Sequence, residues 1–134
     1  CGRNEEKLRE VEAFAPSVSF PVHPRPFVNM RDYYHAADVV LTKPGGLTST
    51  EVLARGKPMV LVSPYPGMEE TNVQRLTQAG VAVFGESPEK AADLAADLLT
   101  DPARREKLTT AAASFVHKDA ARRIAQDLVA SRRP

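Results

Sequence analysis

The sequence predicts an α/β fold in which helices flank a parallel sheet, and three observations point to it. Apolar runs rich in β-branched residues recur about every 20 residues, at 38–42, 58–62 and 81–84. Amphipathic helical stripes lie between them, the first two closed by Gly56 and Gly80 as helix-terminating glycines. The run at 38–42 passes through Lys43-Pro44-Gly45-Gly46 straight into a helical pattern. A strand, a glycine turn and a helix start in succession are a common anion site of α/β domains.

Taken in order, Glu5–Phe14 carries Leu8, Val11 and Phe14 at helical spacing. Residues 17–22 read as a strand entering the proline-rich turn His23-Pro24-Arg25-Pro26. A short helix is predicted at 29–37, the strand Asp38-Val39-Val40-Leu41-Thr42 next, then a helix at 47–55 whose stripe is Leu47, Val52, Leu53 and Ala54. Pro58-Met59-Val60-Leu61-Val62 is the following strand, Ser63-Pro64-Tyr65-Pro66-Gly67 its loop, 69–79 a helix, and Val81-Ala82-Val83-Phe84 the last strand. From Ser87 the pattern is helical only, with Ser87-Pro88 and Asp101-Pro102 each placing a capping residue before a proline at the first helical position. Leu94, Leu98 and Leu99 form one stripe, Leu108, Ala112 and Phe115 a second, Ile124, Leu128 and Val129 a third. These helices should cover the sheet or bridge to a partner domain. Right-handed crossovers put the loops after the strands on one rim, so Phe27, residues 45–48 and residues 66–72 are expected to converge on one crevice.

At 134 residues the chain fits one domain that buries roughly two-thirds of its unfolded surface. No low-complexity segment or linker divides it. Lys and Arg number 18 against 17 Asp and Glu, a balance that offers no general attraction for nucleic acid. Arg122, Arg123, Arg132 and Arg133 make the C-terminal segment basic, suited to an anionic membrane surface or to a solvated helix face. Cys1 is the single cysteine, so an internal disulfide is excluded and a reducing compartment suits the chain. No apolar run approaches the roughly 20 residues of a membrane span, and no signal peptide is visible, so a soluble domain is expected. The opening Cys1-Gly2-Arg3-Asn4 lacks an initiator Met and reads as part of something longer. His23, His35 and His117 are not spaced as metal ligands, and no serine-hydrolase nucleophile motif occurs, so no metal is expected.

Each candidate site admits two readings. Thr48-Ser49-Thr50-Glu51 fits a capping box, in which Thr48 caps the helix and Glu51 reaches back to an amide. In the other reading Gly45 and Gly46 let a phosphate approach the backbone, Thr48 and neighbouring amides hold it, and Glu51 accepts from ribose hydroxyls. Lys43 is either an added positive charge or a solvated side chain. Glu69, Glu70 and Asn72 stand at another helix start, where acids serve the helix dipole or carboxylate and amide match sugar hydroxyls. Phe27, with Val28, is either a buried core side chain or an aromatic surface for a nucleobase.

Several stretches together carry a family resemblance: Cys1-Gly2-Arg3-Asn4, Pro26-Phe27-Val28-Asn29-Met30, Ala37-Asp38, Thr42-Lys43-Pro44-Gly45-Gly46-Leu47-Thr48-Ser49-Thr50-Glu51, Gly56-Lys57-Pro58-Met59 and Pro64-Tyr65-Pro66-Gly67-Met68-Glu69-Glu70-Thr71-Asn72. They resemble the C-terminal, donor-binding half of the glycosyltransferases that include monogalactosyldiacylglycerol synthase and the processive diacylglycerol glucosyltransferases. The enzyme that adds N-acetylglucosamine to lipid I is a more distant relative of these. The resemblance implies a Rossmann-like sheet, the C-terminal half of a glycosyltransferase B-type fold truncated at its N-terminal strand. It places Phe27 against uracil and Val28 on it through the backbone, Leu47 and Thr48 at the phosphates, Glu51 at the ribose, and Glu69 at the sugar with Asn72 nearby. Met68 departs from the pattern, since the family usually has glutamine there, and a thioether is only a weak acceptor.

The implied function is donor binding within a hexosyltransferase that moves a sugar from a UDP-sugar to a membrane lipid such as diacylglycerol. It implies no tightly bound cofactor and peripheral attachment at the cytoplasmic face of the membrane. The acceptor site and the catalytic base belong to the family's N-terminal domain, absent from this chain, so the fragment alone is expected to be inactive. A UDP-sugar epimerase of the same two-domain fold, a non-catalytic nucleotide-sugar-binding module and a plain interaction domain are the alternatives.

Overall fold

Three short strands, β1 (Val40–Thr42), β2 (Met59–Leu61) and β3 (Val83–Phe84), form a parallel sheet in the order β1-β2-β3. Val40 pairs with Met59, and Val60 with Val83. The computed structural model describes residues 1–117 and 119–131, so Arg132 and Arg133 of the basic C-terminal cluster lie outside the described residues. The chain clusters into two units, Cys1–Tyr33 and Tyr34–Pro134.

The second unit holds the sheet, and its core follows from the strand period. Successive side chains of β2 point to opposite faces. Met59 and Leu61 therefore pack with Val52, Leu53, Leu76, Val81 and Ala112, while Val60 packs with Ala91, Leu98 and Leu108 on the other side. A strand buried on both faces needs apolar residues throughout, which is why 58–62 shows no alternation. One face is covered by α3 (Gly46–Ala54) and α4 (Glu70–Gln78), the other by α5 (Pro88–Thr100), and α6 (Pro102–Phe115) contributes Ala112 to the first and Leu108 to the second. The α/β fold and its parallel sheet are as the sequence predicts.

Helix ends follow their local chemistry. Gly56 and Gly80 adopt φ of 65° and 67°, the left-handed conformation that ends α3 and α4. Ser87 Oγ accepts from the Lys90 amide at 3.3 Å and Asp101 Oδ1 from the Arg104 amide at 2.9 Å, capping α5 and α6. The Arg105 guanidinium donates to the carbonyls of Leu98 and Leu99 at 2.6 and 2.7 Å, so the start of α6 caps the end of α5. Leu99 and Phe115 remain exposed, whereas Leu98, Leu108 and Ala112 of the same stripes are buried and Leu94 is half-buried. The third stripe, on α7 (Ala120–Ala130), buries nothing: Ile124, Leu128 and Val129 are all exposed. No helix among the described residues is long and apolar enough to cross a membrane.

The first unit contains α1 (Glu5–Phe14), whose amide at Lys7 donates to the Asn4 side chain at 2.8 Å, and a 3₁₀ turn at Ala15–Ser17. The strand expected at 17–22 does not form. Ser17 closes the 3₁₀ turn by donating its hydroxyl to the Phe14 carbonyl at 2.7 Å. Among the described residues no backbone bond joins 18–22 to a neighbouring strand. A strand exists only through such a ladder, so β propensity alone leaves the segment irregular. α2 (Met30–Ala36) carries the chain from the first unit into the second.

Candidate functional site

The glycine turn after β1 enters α3 three residues earlier than the capping-box reading expects. Gly45 is the N-cap, with φ −66° and ψ 136°, and no side chain caps the helix. The first backbone bond of the helix runs from the Ser49 amide to the Gly45 carbonyl at 2.9 Å. Thr48 is thus the third residue of α3 and Glu51 the sixth, so neither can play its part in a capping box. The extended glycine before the helix sets this register. The amides of Gly46, Leu47 and Thr48 precede the first backbone bond and point out of the helix end, where the dipole is positive.

The turn is open on one side and walled on the other. A β-carbon on Gly46 would meet no atom within 4 Å, whereas one on Gly45 would lie 3.4 Å from Oε1 of Glu69. The second oxygen of Glu69 accepts from the Tyr65 amide at 2.8 Å, which holds the carboxylate over the loop that follows β2. Asn72 Nδ2 donates to the Pro44 carbonyl at 2.9 Å, across 28 positions of chain. The loops after β1 and β2 are therefore tied together, and Gly45, Gly46, Glu69 and Asn72 belong to one locus. Leu47 and Met68 are exposed beside it, at 77% and 75%. Thr48 and Glu51 are half-buried, and among the described residues no hydrogen bond or ion pair engages the Glu51 carboxylate.

Phe27 and Val28 lie in the first unit. Phe27 is 68% exposed, so its ring is not core. It lines a groove of about 530 Å³ with Val28, His23, Met30 and Tyr33, and the Arg3 guanidinium sits 5.1 Å from the ring centroid. Cation–π attraction at that distance steadies an exposed ring. Arg3 was not visible as a site residue, because nothing in a separation of 24 positions links it to Phe27.

Among the described residues no group of three or more His, Cys, Asp or Glu is placed to hold a metal. The polar features of the locus are helix amides, an amide side chain and carboxylates, which suit an anion beside hydroxyl groups.

The profile of the glycosyltransferase family 28 C-terminal domain matches residues 1–128. The chain belongs to this family. As a family 28 domain it is 32% identical over 101 residues to a processive diacylglycerol beta-glucosyltransferase of Staphylococcus epidermidis, covering 73% of this chain and 25% of the relative. It is 37% identical over 132 residues to the UDP-N-acetylglucosamine--N-acetylmuramyl-(pentapeptide) pyrophosphoryl-undecaprenol N-acetylglucosamine transferases of Mycobacterium tuberculosis and Mycobacterium bovis, covering 93% of this chain and 31% of the relatives. Both groups named in the resemblance are thus represented. The family 28 domain spans between 25% and 31% of the length of these relatives.

Proposed function

We propose that this family 28 domain holds the UDP-sugar donor of a glycosyltransferase that moves a hexose to a membrane lipid. The observation that carries the reading is the open start of α3: three amides without a side-chain cap, behind a glycine that presents no side chain. A diphosphate there receives hydrogen bonds and the positive end of the dipole together. Half-buried Glu51, on the same helix and with its carboxylate unengaged, is a ready acceptor for vicinal ribose hydroxyls. Next to the turn, the Glu69 carboxylate is assigned to the sugar, and the family resemblance assigns the uracil to Phe27 and Val28.

In transfer, the sugar–phosphate bond breaks while the acceptor oxygen attacks the anomeric carbon. Charge builds on the departing diphosphate, and amides already aimed at it lower the barrier without reorganising. On this reading no tightly held metal is required, so the rate should survive chelation of divalent ions. The base that deprotonates the acceptor hydroxyl is assigned to residues outside this chain. Attachment to the cytoplasmic face of the membrane is peripheral, the acceptor being a lipid such as the diacylglycerol named for the staphylococcal relative. Met68 in place of a hydrogen-bonding side chain leaves sugar selection to Glu69 and its neighbours.

The test is calorimetric titration of the full-length protein with UDP and UDP-hexoses, followed by an assay for labelled lipid product. Saturable UDP binding that is clearly weakened in Glu51→Ala, with sugar appearing in the lipid phase, is the expected result. Release of free sugar instead of lipid-linked sugar would point to an epimerase, and binding without turnover to a sensing module.

A further inference from the structure

The resemblance gives Asn72 one role, beside the sugar, yet its amide is already committed elsewhere. Asn72 lies in the first turn of α4 and is half-buried. Its side-chain nitrogen donates to the carbonyl of Pro44, the residue just before the glycine N-cap of α3. The orientation of the amide follows from chemistry, because a carbonyl only accepts and Asn72 must therefore turn its NH₂ end toward it. Pro44 is itself fully buried, so the contact fixes the turn at the point where it leaves the core. No helical bond spans this junction, since the first bond of α3 is made by Ser49.

Resting on the nucleotide-sugar reading, we infer that Asn72 is a positioning residue for the diphosphate: it clamps the glycine turn to α4 and so aims the amides of Gly46, Leu47 and Thr48. Glu69, three residues earlier, lies against the same turn, with Oε1 3.4 Å from the position of a Gly45 β-carbon. The cradle for phosphate and the carboxylate assigned to the sugar therefore lie side by side at the starts of α3 and α4. A residue that only touches the sugar would matter to UDP-sugar and not to UDP. A residue that aims the turn matters to both, since both carry the diphosphate.

The experiment compares UDP and UDP-hexose affinities of wild type, Asn72→Ala and Asn72→Asp in the full-length protein, with thermal melting as a control. Loss of a half-buried neutral hydrogen bond should weaken both ligands by the same factor in Asn72→Ala, about three- to tenfold. Asn72→Asp should be worse for both at neutral pH, because a carboxylate facing the Pro44 carbonyl cannot donate. Its affinity relative to wild type should recover as the pH is lowered and the acid regains a proton to give. Weakening confined to UDP-hexose would overturn the inference, as would unchanged affinity for both ligands beside a lowered melting temperature. A wild-type protein that binds neither ligand is a separate outcome, which overturns the nucleotide-sugar reading itself and this inference with it.

Discussion

A β-carbon at Gly85 would lie 2.4 Å from the backbone nitrogen of Ala91, and 2.5 and 2.6 Å from its α- and β-carbons. Gly85 follows β3 and donates its amide to the Leu61 carbonyl at 3.0 Å, so it cannot retreat without leaving the sheet. Ala91 is fully buried and cannot move outward without opening the core around Val60 and Leu98. Overpacking costs typically 1–3 kcal/mol, and more where backbone must shift. Gly85→Ala should therefore lose about 3 kcal/mol or fail to fold, read as the midpoint of urea unfolding. A midpoint equal to that of wild type would show that β3 and α5 part easily.

The early start of α3 separates two functions that the sequence leaves superposed at Thr48 and Glu51. A true N-cap loses about 0.5–2 kcal/mol on replacement by Ala. Thr48→Ala and Glu51→Ala should each cost less than about 0.5 kcal/mol, because both lie inside the helix and Ala favours it. Glu51→Ala should nevertheless weaken UDP binding about ten- to a hundredfold, the scale of a hydrogen bond to a charged group. Melting and calorimetry on the same samples decide between cap and ligand.

Ser49 is 3% exposed, and its hydroxyl has no hydrogen-bond partner among the described residues. It lines a cavity of about 180 Å³ with Thr50, Asn72, Arg75 and Phe115. An unsatisfied buried hydroxyl costs about 1–3 kcal/mol, so Ser49→Ala should be neutral or raise stability by up to about 1 kcal/mol. A melting temperature several degrees below wild type would mean that water in the cavity satisfies the hydroxyl.

The start of α5 carries a small pH dependence whose sign is set by three groups. The Glu86 carboxyl is lowered below its ordinary 4.5 by the hydrogen bond and then the charge of Lys90. The Glu89 carboxyl is lowered by the Ser87 hydroxyl and then by its own backbone amide. Lys90 is raised above 10.5 by the Glu86 hydrogen bond and charge. The carboxyl contributions are present above 4.5 and fade as the pH falls through the lowered values. That of Lys90 is present below 10.5 and fades as the pH rises through its raised value. Glu86→Gln should flatten both limbs slightly, and high salt should mimic it, since the Lys90–Glu86 pair at 2.7 Å is exposed. An acid limb identical in variant and wild type would remove Glu86 from the account.

Much of the fold was legible because its signals are local. The β-branched runs became β1, β2 and β3, Gly56 and Gly80 ended their helices, and Ser87 and Asp101 capped theirs. Residues 17–22, where Val18, Phe20 and Val22 alternate with polar residues and Pro21, did not become a strand, since a ladder partner is not a property of the segment. The site divided in the same way. Gly45, Gly46 and Glu51 were visible as a motif, whereas the start of α3 directly after Gly45, the exposure of Phe27 and the place of Arg3 beside it were not.

By itself the sequence determined the alternation of strands and helices, the glycine turn at the end of β1 and the residue types an anion and a sugar would need. Those depend on neighbours a few positions away, through side-chain period, glycine conformation and capping. Only the tertiary structure decided that Asn72 reaches the Pro44 carbonyl, that Glu69 walls the glycine turn, and that the capping box gives way to an open helix end. A contact across 28 positions depends on how the sheet and helices pack, and no local pattern records that.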